Sequence, residues 1–118
     1  MPKTILVVDD LFDDLESMKK VLEKGGYGVS TATNGARALD ALNEQKFDLI
    51  LIDIQMPTVS GYDLLRLIRD KVKENIKLIY VTIVPKEEVD IADVDGFVQK
   101  PFKPSDPLKE VRKVLKER

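Results

Sequence analysis

Short apolar runs alternate along the chain with stretches in which apolar residues recur every three or four positions. Residues 5–8 and Leu49–Ile52 are continuous aliphatic runs, and each is followed by aspartate. Such a run is typical of a strand that is covered on both faces of a sheet. Weaker runs at residues 27–32, residues 78–81 and Gly96–Gln99 bring the number of predicted strands to five.

The stretches between these runs carry the spacing of amphipathic helices. Leu11, Leu15, Met18 and Leu22 form one apolar stripe, and the glycine pair at residues 25–26 would end this helix. Strands and helices therefore alternate along almost the whole chain. The other predicted helices cover residues 36–46, 64–72 and 107–115.

The segment between the fourth and fifth predicted strands fits this pattern less well. Val89 and Ala92 form an apolar pair at helical spacing, and residues 85–95 carry one lysine against five acids. We expect a short or irregular helix here, held by few apolar contacts, strained by its acids and easily opened.

The alternation of short strands and helices predicts an α/β fold. Parallel neighbours need crossover connections, which are right-handed and place helices on both faces of the sheet. A chain of 118 residues suits one core, so we expect a single domain over residues 1–118. In parallel sheets of this kind, binding sites lie beyond the carboxyl ends of the strands, next to the point where the strand order reverses.

Composition narrows the classes of function. Lysine and arginine number 19 against 21 aspartates and glutamates, a formal charge of −2 that argues against generic binding to nucleic acid or to an anionic membrane. The chain contains no cysteine and no histidine, which excludes thiolate chemistry and imidazole bases. The apolar runs are far shorter than the roughly 18 residues of a membrane span, so we expect a soluble, cytoplasmic protein.

Polar residues follow four of the predicted strands. Asp9 and Asp10 follow the first strand, Asp53 the third, Thr82 the fourth and Lys100 the fifth. Each alone is an ordinary strand end or turn, but a parallel sheet would bring all of them to one edge. Carboxylates with a hydroxyl and a lysine suit a hard divalent cation such as Mg²⁺ together with a phosphoryl group, and a carboxylate can itself attack phosphorus.

These residues resemble the receiver domain of two-component response regulators, the phospho-acceptor module of phosphorelay signalling. The matching segments are residues 5–10, residues 48–57 with Gly61 downstream, Thr82, and residues 97–102. The resemblance covers essentially the whole chain. It implies a doubly wound, flavodoxin-like parallel sheet of five strands in the order 2-1-3-4-5, here with a shortened connection between the last two strands.

The resemblance also implies roles for the strand-end residues. Asp53 would accept a phosphoryl group from a histidine kinase or a phosphohistidine protein, and the donor must be another protein because this chain has no histidine. Asp10, Asp53 and the backbone carbonyl of Gln55 would ligate Mg²⁺, and Asp9 would act through a metal-bound water. The domain would be a switch that acts through protein contacts, and not an enzyme that acts on other molecules.

Further features follow from the family pattern. Thr82 would hydrogen-bond one phosphoryl oxygen and Lys100 would pair with another. Phe97 would be the aromatic residue that moves inward on activation. The Lys100-Pro101 peptide resembles the family's cis peptide, which is the form that proline alone adopts with any frequency.

Two departures from the family pattern leave alternatives open. Ile83 replaces the small residue that usually follows the switch threonine and would narrow access to the phosphoryl group, and the connection over residues 83–99 is short. These two features are the only support for a pseudo-receiver that binds partners without phosphorylation, since the typical marks of a pseudo-receiver are lost acids or a lost lysine and all of these residues are present here. A haloacid dehalogenase-like phosphatase is a further alternative, but it needs a second acid two residues after the nucleophile, where this chain has Gln55.

Overall fold

A five-stranded parallel sheet forms the centre of the protein. The computed structural model describes residues 2–55, 61–71, 76–91 and 94–116. The strands are β1 (Thr4–Val8), β2 (Gly28–Ala32), β3 (Leu49–Ile52), β4 (Lys77–Thr82) and β5 (Gly96–Gln99). The helices are α1 (Phe12–Lys24), α2 (Gly35–Glu44), α3 (Gly61–Lys71) and α4 (Asp106–Val114), and a 3-10 helix covers Lys86–Glu88. Every strand expected from the apolar runs is present.

The strand order is β2-β1-β3-β4-β5 with all neighbouring pairs parallel, which confirms the predicted fold. The order reverses at β1, which lies between β2 and β3. Val8, the last residue of β1, is level with Ala32 on one side and Ile52 on the other. The residues that follow Val8 and Ile52 therefore emerge side by side at the carboxyl edge of the sheet.

Apolar side chains cover both faces of the sheet, because alternate residues of a strand point to opposite sides. Leu6 and Ile50 are buried on one face, in a core shared with α2 and α3. Val7 and Leu51 are buried on the other face, in a core shared with α1 and α4. This double cover explains why the sequences of β1 and β3 are apolar without interruption.

The helices begin and end close to the residues that their sequence signals indicate. Asn34 caps α2, since its Oδ1 accepts a hydrogen bond from the backbone N–H of Arg37 at 2.8 Å. The predicted end of the third helix at residue 72 lies outside the described residues. No helix in the described part of the chain is long and apolar enough to cross a membrane.

The connection from β4 to β5 is short and irregular, as the sequence predicts. Within the described residues its regular part is the three-residue 3-10 helix. Val89 is buried, and Val84 and Val94 pack against the same core, so three valines hold this segment to the sheet. Ala92, the expected partner of Val89 on a helix, lies outside the described residues.

Asp95 corrects the expectation that the acids of the β4–β5 connection only strain this segment. Asp95 Oδ2 accepts a hydrogen bond from the backbone N–H of Leu78 at 2.8 Å, and Asp95 Oδ1 lies 4.0 Å from Lys77 Nζ. The side chain therefore ties the start of β5 to the start of β4. A hydrogen bond to an ionised acceptor is stronger than one between neutral groups, so Asp95 supports the connection that it was expected to weaken.

Candidate functional site

The sheet itself positions the acidic residues of the carboxyl edge. The backbone N–H of Asp9 donates to Ala32 O at 3.1 Å, and the backbone N–H of Asp53 donates to Val8 O at 2.9 Å. On the other side, the backbone N–H of Lys100 donates to Thr82 O at 2.8 Å. These bonds continue the strand ladders by one residue, so the three side chains start from fixed backbone positions.

Lys100 joins the acidic residues into one buried cluster. Its Nζ lies 2.7 Å from Asp9 Oδ2, 2.9 Å from Asp14 Oδ2 and 3.3 Å from Asp53 Oδ2. The side chains of Lys100, Asp9 and Asp53 are each at most 6% exposed. A single ammonium group thus faces three carboxylates, and little water can screen the two that belong to Asp9 and Asp53.

Backbone amides hold the second oxygen of each buried carboxylate. Asp9 Oδ1 accepts a hydrogen bond from the N–H of Leu11 at 2.9 Å, and Asp53 Oδ1 accepts one from the N–H of Gln55 at 3.0 Å. Each aspartate therefore bonds the backbone two residues ahead and turns the loop that follows its strand. The carboxylates are oriented by the chain that leaves the sheet.

Asp9, Asp10 and Asp53 form a group that suits a hard cation. One carboxylate oxygen from each of the three lies within 4.8 Å of the others, and Asp10 is exposed while its two partners are buried. Mg²⁺ prefers oxygen ligands and commonly combines one or two carboxylates with waters and phosphate oxygens. The three residues offer only oxygen ligands, are open to solvent on the side of Asp10, and carry negative charge that a cation would neutralise. The group therefore fits Mg²⁺.

The electrostatics of the cluster favour the arrival of a further cation. Burial, reinforced by the nearby charge of Asp9, raises the pKa of Asp53 to about 6 in spite of the attraction of Lys100. Burial also raises the pKa of Asp9. Burial by itself would lower the pKa of Lys100, but its hydrogen bonds to Asp9 and Asp14 outweigh that effect and raise it. The lysine stays charged, and its single positive charge does not balance the negative charge of the carboxylates around it.

Thr82 is buried at the end of β4, where its hydroxyl is already engaged. Its Oγ1 accepts a hydrogen bond from the backbone N–H of Val84 at 3.2 Å. Gln99 bridges the same turn, since its Nε2 lies 2.9 Å from Thr82 O and 3.2 Å from Val84 O. The threonine hydroxyl is thus bonded to the first residues of the β4–β5 connection.

Phe97 lies farther from the acidic cluster, in the body of β5. It is level with Tyr80 of β4, and its half-buried ring packs against the core on the α2 and α3 side of the sheet. Its backbone N–H donates to Glu110 Oε2 of α4 at 3.3 Å. Its ring therefore borders the core beneath the connection, while its backbone contacts α4.

A small pocket opens at the acidic cluster. It has a volume of about 140 Å³ and is lined by Asp10, Leu11, Asp53, Gln55, Ile83 and Lys100. Ile83 contributes a wall of this pocket although 61% of its surface is exposed. Its expected effect on access to Asp53 stays a prediction.

The structure brings together most of the residues that the sequence singles out. Asp9, Asp10, Asp53 and Lys100 meet in one cluster, and Gln55 contacts it through its backbone. The Lys100-Pro101 peptide is cis, as expected. Residues 56 and 57 of the matching segment lie outside the described residues.

Asp14 is the member of the cluster that sequence reasoning missed. It lies in the first turn of α1, where acids are common because they complement the helix dipole. The only available signal is its spacing, since Asp14 follows Asp10 by about one helical turn. That spacing alone does not indicate a contact with a lysine near the other end of the chain.

Comparison with known proteins finds a family model and relatives that match most of the chain. The profile of the response regulator receiver domain matches residues 5–112. The chain is 34% identical to the chemotaxis protein CheY of Thermotoga maritima, with 98% of this chain and 100% of that protein covered. It is 36% identical to the response regulator SaeR of Staphylococcus epidermidis over 85% of this chain, but it spans only 44% of the length of SaeR.

A solved structure of a related protein shares the fold and contains a bound Mg²⁺–BeF complex. The response regulator TrrA of Thermotoga maritima, solved in complex with Mg²⁺–BeF, superimposes with a TM-score of 0.82 at 37% identity. The superposition covers 95% of this chain and 98% of that one.

Proposed function

This chain belongs to the response regulator receiver domain family of two-component systems, and from that premise we propose that Asp53 accepts a phosphoryl group from a histidine kinase or a phosphohistidine protein. One observation carries the proposal. The ammonium of Lys100 bonds Asp53 and Asp9 inside a buried cluster, at 3.3 and 2.7 Å, and Asp53 also lines an open pocket. An acceptor needs this combination of a held carboxylate, a cation for the incoming oxygens and access.

The proposed transfer is a displacement at phosphorus. A carboxylate oxygen of Asp53 attacks the phosphorus, the bond between phosphorus and the donor's imidazole nitrogen breaks, and the imidazole leaves as Asp53 becomes an acyl phosphate. Lys100 favours the ionised, nucleophilic form of Asp53 against the effect of burial. The same ammonium is close enough to pair with a phosphoryl oxygen on Asp53.

Mg²⁺ is the cofactor that we propose for this step. Asp10, Asp53 and the backbone carbonyl of Gln55 would hold it, and Asp9 would contact it through a water. The ion would neutralise charge on the acids and on the transferring phosphoryl oxygens. The oxygen-only donor group and the Mg²⁺–BeF complex of the related TrrA protein support this choice.

Thr82 and Phe97 are the proposed route from phosphorylation to output. If the Thr82 hydroxyl turns to donate to a phosphoryl oxygen, its bond with the N–H of Val84 is disturbed, and with it the start of the β4–β5 connection. Phe97 borders the core under that connection, so its half-buried ring can follow the change. The output would then be a change in protein contacts on this surface.

Intact mass spectrometry tests the acceptor. With acetyl phosphate and Mg²⁺, the protein should gain the mass of one phosphoryl group, and removal of Mg²⁺ by a chelator should suppress the gain. Asp53→Asn should gain nothing, whereas the matched variant Asp40→Asn, at an exposed position on α2, should behave as the wild type. An equal gain in Asp53→Asn would refute the assignment.

A further inference from the structure

Lys100 donates to more carboxylates than the proposed phosphoryl transfer needs. An ammonium group has three N–H donors, and three carboxylates surround this one, from Asp9, Asp14 and Asp53. The ammonium therefore donates hydrogen bonds to Asp9 and Asp53 and pairs with Asp14 at 2.9 Å before any phosphoryl group arrives. Phosphorylation converts the Asp53 carboxylate into an acyl phosphate, so the phosphoryl oxygens then compete for Lys100 with the carboxylates of Asp9 and Asp14.

Asp14 differs from the other two carboxylates in its surroundings. Its side chain is 35% exposed, while those of Asp9 and Asp53 are 0% and 6% exposed. It also lies outside the group of three acids that could hold a metal ion. Asp14 thus contacts the lysine without belonging to the proposed metal site, and water can solvate it when the contact breaks.

We propose that Asp14 is a positioning residue that competes with the phosphoryl group for Lys100 and thereby weakens the phosphorylated state. The inference rests on the proposed function of Asp53. In the unphosphorylated protein, Asp14 holds the ammonium between itself and Asp9. In the phosphorylated protein, Lys100 turns from Asp14 to a phosphoryl oxygen, and the freed carboxylate is solvated.

Exposure and charge both indicate Asp14 as the contact that Lys100 releases. A buried carboxylate that loses its cation is left without solvent, which is costly, whereas a partly exposed one recovers water. The negative charge of Asp14 also opposes the added negative charge of a phosphoryl group a few ångströms away. Removing that charge while keeping the side-chain shape should therefore favour anion binding at Asp53.

The test compares Asp14→Asn with Asp13→Asn. Asp13 is the neighbouring acid in the same turn of α1; it is exposed and is not among the three carboxylates on Lys100. Its substitution removes the same formal charge without removing the contact. The probe is beryllofluoride in saturating Mg²⁺, with the apparent Kd measured by calorimetry or fluorine NMR.

Asp14→Asn should bind beryllofluoride about threefold to fivefold more tightly than the wild type, the upper part of the range expected for an exposed ion pair. The acyl phosphate of this variant should hydrolyse more slowly by a similar factor. Mg²⁺ affinity without beryllofluoride should be unchanged or weaker. A purely structural role would weaken the binding of both ligands, so tighter beryllofluoride binding without tighter Mg²⁺ binding identifies a positioning role. Asp13→Asn should stay within twofold of the wild type, a margin of about 0.4 kcal/mol.

Two outcomes would overturn the inference while leaving the acceptor assignment intact. One is unchanged or weaker beryllofluoride binding by Asp14→Asn when the wild type binds normally. The other is equal tightening by Asp13→Asn, which would assign the effect to general charge and not to the contact with Lys100. If the wild type binds no beryllofluoride and gains no phosphoryl mass, the proposed function itself fails and the inference fails with it.

Discussion

Leu51 and Asp53 lie two residues apart at the end of the same strand, and both are almost fully buried, yet burial affects their contributions to stability in opposite ways. Leu51 is 0% exposed, and burial of such a side chain contributes roughly 1.5–3 kcal/mol. Asp53 is 4% exposed as a whole residue, and this burial raises its pKa to about 6, which means that its charged form is disfavoured. Burial therefore stabilises the apolar interior of the sheet and disfavours the charged form of the carboxylate at its carboxyl edge.

The two regions also differ in what holds them. Many apolar contacts on both faces hold the interior of β1 and β3, so the stability of this region is shared among many side chains. The polar edge depends on one cation, Lys100, and on two backbone amides. A region with few, strong and specific contacts can be rearranged by one ligand, whereas a packed core cannot.

The largest effect is expected for Lys100→Met in Mg²⁺-free buffer. Loss of the ammonium leaves Asp9, Asp14 and Asp53 facing one another without compensation, and removing one partner of a buried ion pair typically costs about 3–5 kcal/mol. Urea unfolding measures this loss. The control is Lys77→Met, whose ion pair with Asp95 is half-exposed and should contribute less than about 1 kcal/mol. Equal losses in both variants would contradict the dependence of the edge on Lys100.

Stability without Mg²⁺ should depend on pH in the direction that Asp53 dictates. The folded pKa of Asp53, about 6, lies above its usual value of 3.8. Its contribution to stability is therefore fully present below pH 3.8 and is lost as the pH rises through 6, by about 1–3 kcal/mol. Urea unfolding across this range measures the decline, and millimolar Mg²⁺ should oppose it at the upper end. A rise in stability over the same range that vanishes in Asp53→Asn would mean that the sign is wrong.

Mg²⁺ should stabilise the protein through the acidic group. At ten times its Kd, an ion that binds only the folded state adds about 1.4 kcal/mol, which is visible as a higher Tm. Asp10→Asn should abolish this response and leave the metal-free protein as stable as before or more so, because it removes one of three crowded charges. Asp13→Asn should keep the response. An unchanged response in Asp10→Asn would remove Asp10 from the proposed ligands.

The smallest effect is expected in the β4–β5 connection. Beryllofluoride with Mg²⁺ should slow amide exchange across residues 83–99 through a local stabilisation of about 1 kcal/mol or less, because Thr82 is bonded to the start of this segment. Exchange mass spectrometry with and without the ligand measures it. Protection confined to the loops after Asp10 and Asp53 would mean that Thr82 and Phe97 do not relay the signal.

Most of the fold could be predicted because its signals are local. The run Leu49–Ile52 lies between two aspartates, and its predicted bounds are those observed for β3. The convergence of Asp53 and Lys100 then follows from topology, since parallel strands end at one edge. The stabilising role of Asp95 could not be predicted in this way. Its contribution to stability depends on a hydrogen bond from the backbone N–H of Leu78, and only the register of β4 and β5 brings the two residues together.

The part of the site that could not be predicted is the part made by side chains meeting across elements. The contact of Asp14 with Lys100 requires α1 to pack against the sheet at one particular distance and rotation. A sequence pattern indicates which face of α1 is buried, through Leu15 and Met18, but it does not indicate how far a polar neighbour reaches. Such contacts come from the packing of the whole domain.

The most direct test of whether burial has opposite effects at Leu51 and Asp53 is to measure the unfolding free energies of Leu51→Ala and Asp53→Asn. Both are compared with the wild type without Mg²⁺ near neutral pH. Leu51→Ala should lose about 2–5 kcal/mol, because it leaves a cavity in the core. Asp53→Asn should gain about 1–3 kcal/mol, because it removes a buried charge that the folded state disfavours. Opposite signs from two buried positions on one strand end are the predicted result. If Asp53→Asn is instead less stable than the wild type, the carboxyl edge is not built at the expense of stability and the account is contradicted.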